Sequence, residues 1–571
     1  MGDDLQDSGI VNIAAALDRN AEAAPERPAL ILATGVKAGE VQYTTYTFAE
    51  LSQETNALAA GLLSAGLTRG MRTVLMVPPG LAFFSLMFAM FKAGIVPVLI
   101  DPGMGLSNLK VCLSEAEPEA FIGISKAHAA RLALGWGKPT LKHFVTVGKR
   151  LGWQGWGLDA LRQQGEKAPL LATADTRAQE TAALLFTSGS TGVPKGVVYS
   201  HQNFQAQIDR LQGAFDIAPG EVNLATFPPF ALFDPALGMT SVVPLMDPRK
   251  PAEVNPAYIF DAIERFQVTH MFGSPALLNT VSRAGVKPES LAQVKQQMRS
   301  VQRVMSAGAP VPYQTLERMH QILPQQAKIW TPYGATECLP VSVMDSQSIL
   351  HETHEQTAQG AGVCIGHPVE GLEVVLIPIH DEPIADWASV TPITEVGVKG
   401  EIVVKGPNVT RAYFNREAST QAAKIQDGDQ VRHRMGDIAY FDAQGRLWFC
   451  GRKAHRVETG EAGQRVTRYT IPCEAIFNTH PAVFRSALIQ VSRAGQQIPV
   501  VCIELEKEAL TADLSHAQII LDLQDMAAQH EATRGIYHFL FHEQLPVDIR
   551  HNSKIFREKL VPWAEKKLGA H

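Results

Sequence analysis

Short β-branched runs alternate with helical-period segments through the first two thirds of the chain: "TVLMV", "VPVLI", "AFIGI", "HFVTV" and "AALLFT". Strands that are apolar along their whole length need cover on both faces, so the pattern predicts an α/β body of parallel or mixed sheets flanked by helices. The most apolar stretch, "LAFFSLMFAMFKAGIVPVLIDPG", is broken by Lys92 and then Pro97. It predicts a buried helix followed by a core strand at Val96–Ile100, not a membrane span. Near residue 440 the texture changes to "DIAYFDAQGRLWFCGRK", two alternating strands around an Asp-Ala-Gln-Gly turn. Short strands and helices follow, enough for a compact second unit, and Gly451-Arg452-Lys453 is the expected boundary. The reading is therefore residues 1–451 and 452–571.

Composition narrows the function. The 571 residues carry 51 Lys+Arg against 57 Asp+Glu, a mildly acidic balance that supplies no electrostatic footprint for nucleic acid, so small-molecule substrates are expected. Six cysteines lie far apart with no close pair, which argues against a zinc site or a disulfide framework and for a reducing cytoplasm. The N-terminus opens with acids and lacks a charged-then-apolar leader.

The sharpest motif is "LLFTSGSTGVPKGVV", residues 184–198, lying between a strand and the helical "HQNFQAQIDRLQGAF". Glycines and hydroxyl side chains let backbone N–H groups close around phosphate oxygens, and Lys195 can neutralise charge there. A Walker A loop is excluded, because counting from Gly189 puts Pro194 where the second glycine must stand. A flexible Gly/Ser connector rarely carries this run directly after an apolar strand.

Downstream, "SAGAP" (306–310) caps a strand with small residues, as a flat ring lying against backbone would demand. In "YGATE" (333–337) the glycine permits close backbone approach, Thr336 can donate to a phosphate, and Glu337 can hold Mg²⁺ on it. "HRMGD" (433–437) ends in an acid that could accept two ribose hydroxyls. Each of these is weak alone.

Together, and in this order, they resemble the adenylate-forming superfamily of acyl-CoA synthetases, peptide-synthetase adenylation domains and luciferases, over nearly the whole chain. The resemblance implies a large N-terminal domain and a small mobile α+β C-terminal domain, with ATP and Mg²⁺ as cofactors. It implies that Thr187, Ser188, Gly189, Ser190, Thr191 and Lys195 hold phosphates. Gly308, Ala309, Pro310 and Tyr333 would surround the adenine, and Gly334 would also contact the nucleotide. Thr336 would meet the α-phosphate, Glu337 the metal, Asp437 the ribose, and Arg452 the ribose or phosphate. Lys554 in "SKI" stands where the family carries its adenylation lysine.

Two departures point to a subgroup. Ala454 stands where most of the family has an acidic or lysine hinge residue, and "DIRHNSKI" lacks the glycine that precedes the lysine. The combination with "FPPFALFDPALGMTSV" and "WTPYGATECLPV" is similar to the bacterial olefin β-lactone synthetases of long-chain hydrocarbon biosynthesis. That likeness implies adenylation of a 2-alkyl-3-hydroxy long-chain acid and attack of its own 3-hydroxyl. It also implies association with other hydrocarbon-pathway enzymes. A long-chain fatty acyl-CoA ligase is the rival reading.

Phe227, Phe230 and Phe233 are candidate walls for an alkyl chain, with plain core packing an even alternative. Asp234 either orients the substrate hydroxyl or caps a helix at "DPALGM", and the cap is favoured because Pro235 suits a first turn. Neither His201 nor His551 is assigned as a base.

Overall fold

The computed structural model describes residues 9–187, 194–227, 230–460, 465–493, 495–507, 515–547 and 555–569. The apolar runs form one seven-stranded sheet. Its order is Trp156–Gly157, His143–Val147, Ala120–Ile124, Arg72–Met76, Val96–Ile100, Thr181–Thr187 and Lys195–Ser200. All neighbours are parallel except the last pair. The apolar stretch after residue 80 is the helix Leu81–Lys92 leading into Val96–Ile100, as the pattern predicts. Its Phe84, Phe88 and Phe91 are wholly buried, and Lys92, also buried, pairs with Asp18 at 2.7 Å. A helix that is apolar all round belongs inside a layered protein. No helix among the described residues is long and apolar enough to cross a membrane.

A fourteen-stranded mixed sheet forms the second layer. Its central block is parallel: Lys328–Ala335, Arg303–Met305, His270–Phe272, Val222–Ala225, Thr240–Val243 and Pro28–Lys37. From Val222–Ala225 the chain goes first to Thr240–Val243 on one side and later to His270–Phe272 on the other. The crevice outside the carboxyl ends of such strands, where the order reverses, is where open α/β sheets bind ligands. "SAGAP" and "YGATE" both leave the block at that end.

The hairpin expected near residue 440 is present as Gln430–Phe441 and Leu447–Arg452, and it pairs within the large sheet. Beyond it, Val457–Thr459 and Val466–Arg468 form a two-stranded antiparallel sheet among the described residues. A three-stranded sheet of Val483–Arg493, Gln496–Leu505 and His538–Phe541 follows. Val457, Cys473, Phe477, Leu488, Val501 and Leu523 make its core with the helix His516–Gln529. The fold is thus α/β, with a large N-terminal sheet domain and a smaller α+β C-terminal one. All six cysteines are buried free thiols.

Candidate active site

The strands that flank the phosphate-loop motif pair antiparallel in a register that sets Thr187 opposite Lys195. Ser188, Gly189, Ser190 and Thr191 lie outside the described residues, as does Lys554. The Lys195 ammonium sits 5.0 Å from the centre of the Tyr413 ring, within cation–π reach.

Three of the expected nucleotide contacts meet in one place. Asp437 and Arg452 are register partners on adjacent antiparallel strands, and Arg452 Nε lies 3.2 Å from Asp437 Oδ1. Tyr333, from the last parallel strand of the block, donates its hydroxyl to Asp437 Oδ2 at 2.5 Å. Asp437 is only 2% exposed, and its Oδ1 takes no hydrogen bond among the described residues. Burial pushes this carboxyl up, against the pull of Arg452 and Tyr333. A buried carboxylate oxygen held by an ion pair but by no aligned hydrogen bond has capacity left for a ligand hydroxyl.

Gly308, Ala309 and Pro310 follow Arg303–Met305 in an exposed or half-exposed loop. Gly308 has φ +95°, a backbone setting that favours glycine. At Gly334 a Cβ would come within 2.7 Å of the Cys338 carbonyl oxygen, so only glycine fits beside the bulge. The strand runs on through Ala335, further than its apolar start "AKIW" suggests, and leaves Thr336-Glu337 as a tight turn into Cys338–Asp345.

That turn is gripped from several sides. Tyr199, itself buried, donates its hydroxyl to the Thr336 carbonyl and receives a bond from Gln207 at 3.2 Å. Tyr413 donates to Glu337 Oε1 at 2.6 Å. Thr410 donates to the Glu337 carbonyl through its N–H at 2.9 Å and its hydroxyl at 3.1 Å. Lys424, 6% exposed, bonds the Thr410 carbonyl at 2.5 Å and its hydroxyl oxygen at 3.2 Å. Burial pulls the Lys424 ammonium down to about 8 and the His433 imidazole down to about 3. Burial also pushes the Glu337 carboxyl up, but the Tyr413 bond and the Lys424 ammonium hold it down, and Glu337 lies below the usual carboxylate range. An ionised carboxylate results.

Nothing in the periodic pattern singles out Thr410, Tyr413 or Lys424. They belong to "GPNVTRAYFN" and the helix–strand that follows it, a stretch with neither a 2- nor a 3.6-residue apolar rhythm. The stretch is a strap laid across the site. Val197 bridges Tyr413, and Phe414 N–H donates to the Gly196 carbonyl at 2.7 Å. Asn203 bonds the Pro407 and Val409 carbonyls at 2.8 and 3.1 Å, while its amide oxygen closes the capping box with Ser200 at the start of His201–Phe215. The Ser-x-x-Asn spacing after the phosphate loop is the one local signal of this arrangement.

The apolar candidates fare differently. The Phe227 ring lies 6.4 Å from Phe272 at the point where the strand order reverses. Phe233 packs into the main core beside Phe204, and the side chain of Phe230 lies outside the description. The helix cap expected of Asp234 is not found. Asp234 is the first residue of the short helix Asp234–Leu237, with Pro235 in its first turn, and its side chain makes no cap bond. Instead Asp234 Oδ2 accepts from Asn223 at 2.8 Å and from the Ser241 hydroxyl, in a fully buried knot. The strand partners Asn223 and Ser241 stand side by side, so the aspartate bridges them rather than turning back to its own helix. Burial pushes its carboxyl up to about 7.

The sequence profile of the AMP-binding enzyme family matches residues 17–414, well over half of the chain. A Stenotrophomonas maltophilia protein named olefin beta-lactone synthetase is 49% identical over 570 residues, 98% of each chain. A Xanthomonas campestris protein of the same name is 48% identical over 571 residues, 99% of each chain. Among solved structures, the amide bond synthetase McbA from Marinactinospora thermotolerans superposes with a TM-score of 0.75 at 19% identity, over 97% of this chain and 99% of that one, a likeness of fold. Profile, near-half identity end to end and shared fold agree: this protein belongs to the AMP-binding family, in the group with the olefin β-lactone synthetases, and is an adenylate-forming ligase.

Proposed function

We propose that this enzyme joins ATP to a 2-alkyl-3-hydroxy long-chain acid and closes the resulting acyl-adenylate to a β-lactone. The observation that carries the reading is the 49% identity, over 98% of both chains, to a protein named olefin beta-lactone synthetase. Named CoA ligases align at 26–27%. In the first step a carboxylate oxygen of the acid bonds to the α-phosphorus of ATP and the bond to pyrophosphate breaks. In the second, the 3-hydroxyl oxygen bonds to the acyl carbon, the bond to AMP breaks, and the hydroxyl proton leaves with the phosphate. Tethering of the hydroxyl two carbons away supplies a high effective concentration.

In this reading Asp437, whose Oδ1 is ion-paired with Arg452 but takes no hydrogen bond among the described residues, takes the ribose hydroxyls, and Tyr333 with the Gly308-Ala309-Pro310 loop flanks the base. Arg452 lies between ribose and phosphate, and Thr336 meets the α-phosphate. Lys195 and the Thr187–Thr191 hydroxyls and amides hold the outer phosphates, and Lys554 stands between the two reacting anions. A single ionised Glu337 fits a hard cation that arrives on phosphate oxygens and keeps most of its waters. Mg²⁺ bound there would neutralise the charge that builds as pyrophosphate departs. Phe227, at the reversal of strand order, would face the alkyl chain. The C-terminal unit, taken from residue 452 onward, would carry Lys554 to the site.

The test is a product assay. Incubated with ATP, Mg²⁺ and a 2-alkyl-3-hydroxy acid but no CoA, the enzyme is expected to yield a lactone seen by NMR. Turnover only with CoA, giving a thioester, would sink the lactone step and leave a fatty acyl-CoA ligase.

A further inference from the structure

Glu337 is held through its carbonyl by Thr410 and through its carboxylate by Tyr413, and Tyr413 also reaches the phosphate-loop side of the site. The Tyr413 hydroxyl donates to Oε1 at 2.6 Å. Its ring lies 5.0 Å from the Lys195 ammonium and 5.9 Å from that of Lys424. Its backbone bridges Val197, two residues beyond Lys195, and the next N–H bonds Gly196. One side chain therefore touches the proposed phosphate lysine and the proposed metal carboxylate at once, while its main chain is stitched to the strand that returns from the phosphate loop.

We propose that Tyr413 is a positioning residue: its hydroxyl fixes the rotamer of Glu337 for the divalent cation carried by ATP, and its ring registers Lys195 against the same cation. The role rests on the adenylation reading above and deepens it. A carboxylate on a free-swinging side chain loses rotamer entropy each time it binds a cation. With Oε1 held by a phenol, that loss is met in folding, and Oε2 is left for the cation's shell. Rigidity of the phenol comes in turn from the strap, which Asn203 pins through Pro407 and Val409 and Asn408 pins through the Leu339 and Pro340 carbonyls. The Tyr413 N–H is also occupied, by the Thr420 hydroxyl at 3.0 Å.

Phenylalanine separates the two halves of the role, because the ring and its cation contacts survive while the hydroxyl is lost. In the full-length Tyr413→Phe enzyme, ATP affinity in EDTA is expected to match wild type by calorimetry. The gain in ATP affinity on adding Mg²⁺ is expected to shrink about tenfold, the size of a lost hydrogen bond to a charged group. Mn²⁺ titrated into the enzyme–ATP mixture, followed by the EPR signal of the free ion, is expected to show the same weakening. An unchanged metal-dependent gain would overturn the proposal. Equal weakening with and without metal would overturn it too, since Tyr413 would then only support the scaffold. Failure of wild type to exchange pyrophosphate into ATP when given the hydroxy acid would instead sink the adenylation reading itself.

Discussion

Glu337 and Asp234 are both carboxylates enclosed by the large sheet's surroundings, and burial raises the proton affinity of both. Their neighbours differ in kind. Glu337 has a phenol bonded to it and a buried ammonium, that of Lys424, near it, and it ends as an anion. Asp234 has only an amide and a hydroxyl, Asn223 and Ser241, and its carboxyl rises to about 7. A neutral donor stabilises the charged form too weakly to offset desolvation, whereas a nearby cation can do so. The contrast separates an ionised carboxylate, which we propose meets a cation, from one that closes a structural knot.

Removing the anion is the most severe way to probe this contrast. Glu337→Gln keeps the shape and is expected to cost roughly 10²–10³-fold in acid-dependent ATP–pyrophosphate exchange, the scale of a lost electrostatic contact to the reacting phosphates. Its thermal midpoint should stay near that of wild type. Exchange within a few-fold of wild type would erase the functional half of the comparison.

Asp234→Asn probes the other half. The folded chain holds a proton on Asp234 that the unfolded chain releases above about pH 4. Stability contributed by this group is therefore full below pH 4 and declines as pH rises towards 7. The asparagine removes that decline, so denaturant midpoints measured at pH 5 and pH 8 should converge by an amount on the order of 3 kcal/mol. Exchange activity should change little, and a collapse of activity would move Asp234 into the substrate site. Ser241→Ala has the smallest expected effect, about 1 kcal/mol of stability. Because Ser241 lowers the Asp234 carboxyl's proton affinity, its loss extends the pH-dependent decline to higher pH, which the same denaturant series would record.

Much of this architecture was legible in residue order. The helix Leu81–Lys92 and strand Val96–Ile100 follow from apolar run length and the Lys92 and Pro97 breaks. Asp437 and Arg452 were reachable only through the likeness of their motifs to a family, and the hairpin's register then sets them opposite each other. Asp234 could not be placed: its local signals, an acid before proline, are those of a cap, and the Asn223 and Ser241 strands decide otherwise. The strap was silent for the same reason. Tyr413 meets Glu337 76 residues away, and no local rhythm encodes such a meeting.

The distances along the chain also bear on when the site comes into being. Asn203 reaches Pro407 across 204 residues, Tyr333 reaches Asp437 across 104, and Glu337 reaches Tyr413 across 76. Contacts of such span reward the chain only after the intervening loops have closed, and that closure is costly in entropy. The seven-stranded sheet, whose strands all lie between Arg72 and Ser200, needs nothing from residues beyond 200 for its pairing. On a ribosome it can be finished while the strap is still unsynthesised, so the chain acquires its body first and its grip on a nucleotide among its last acts of folding.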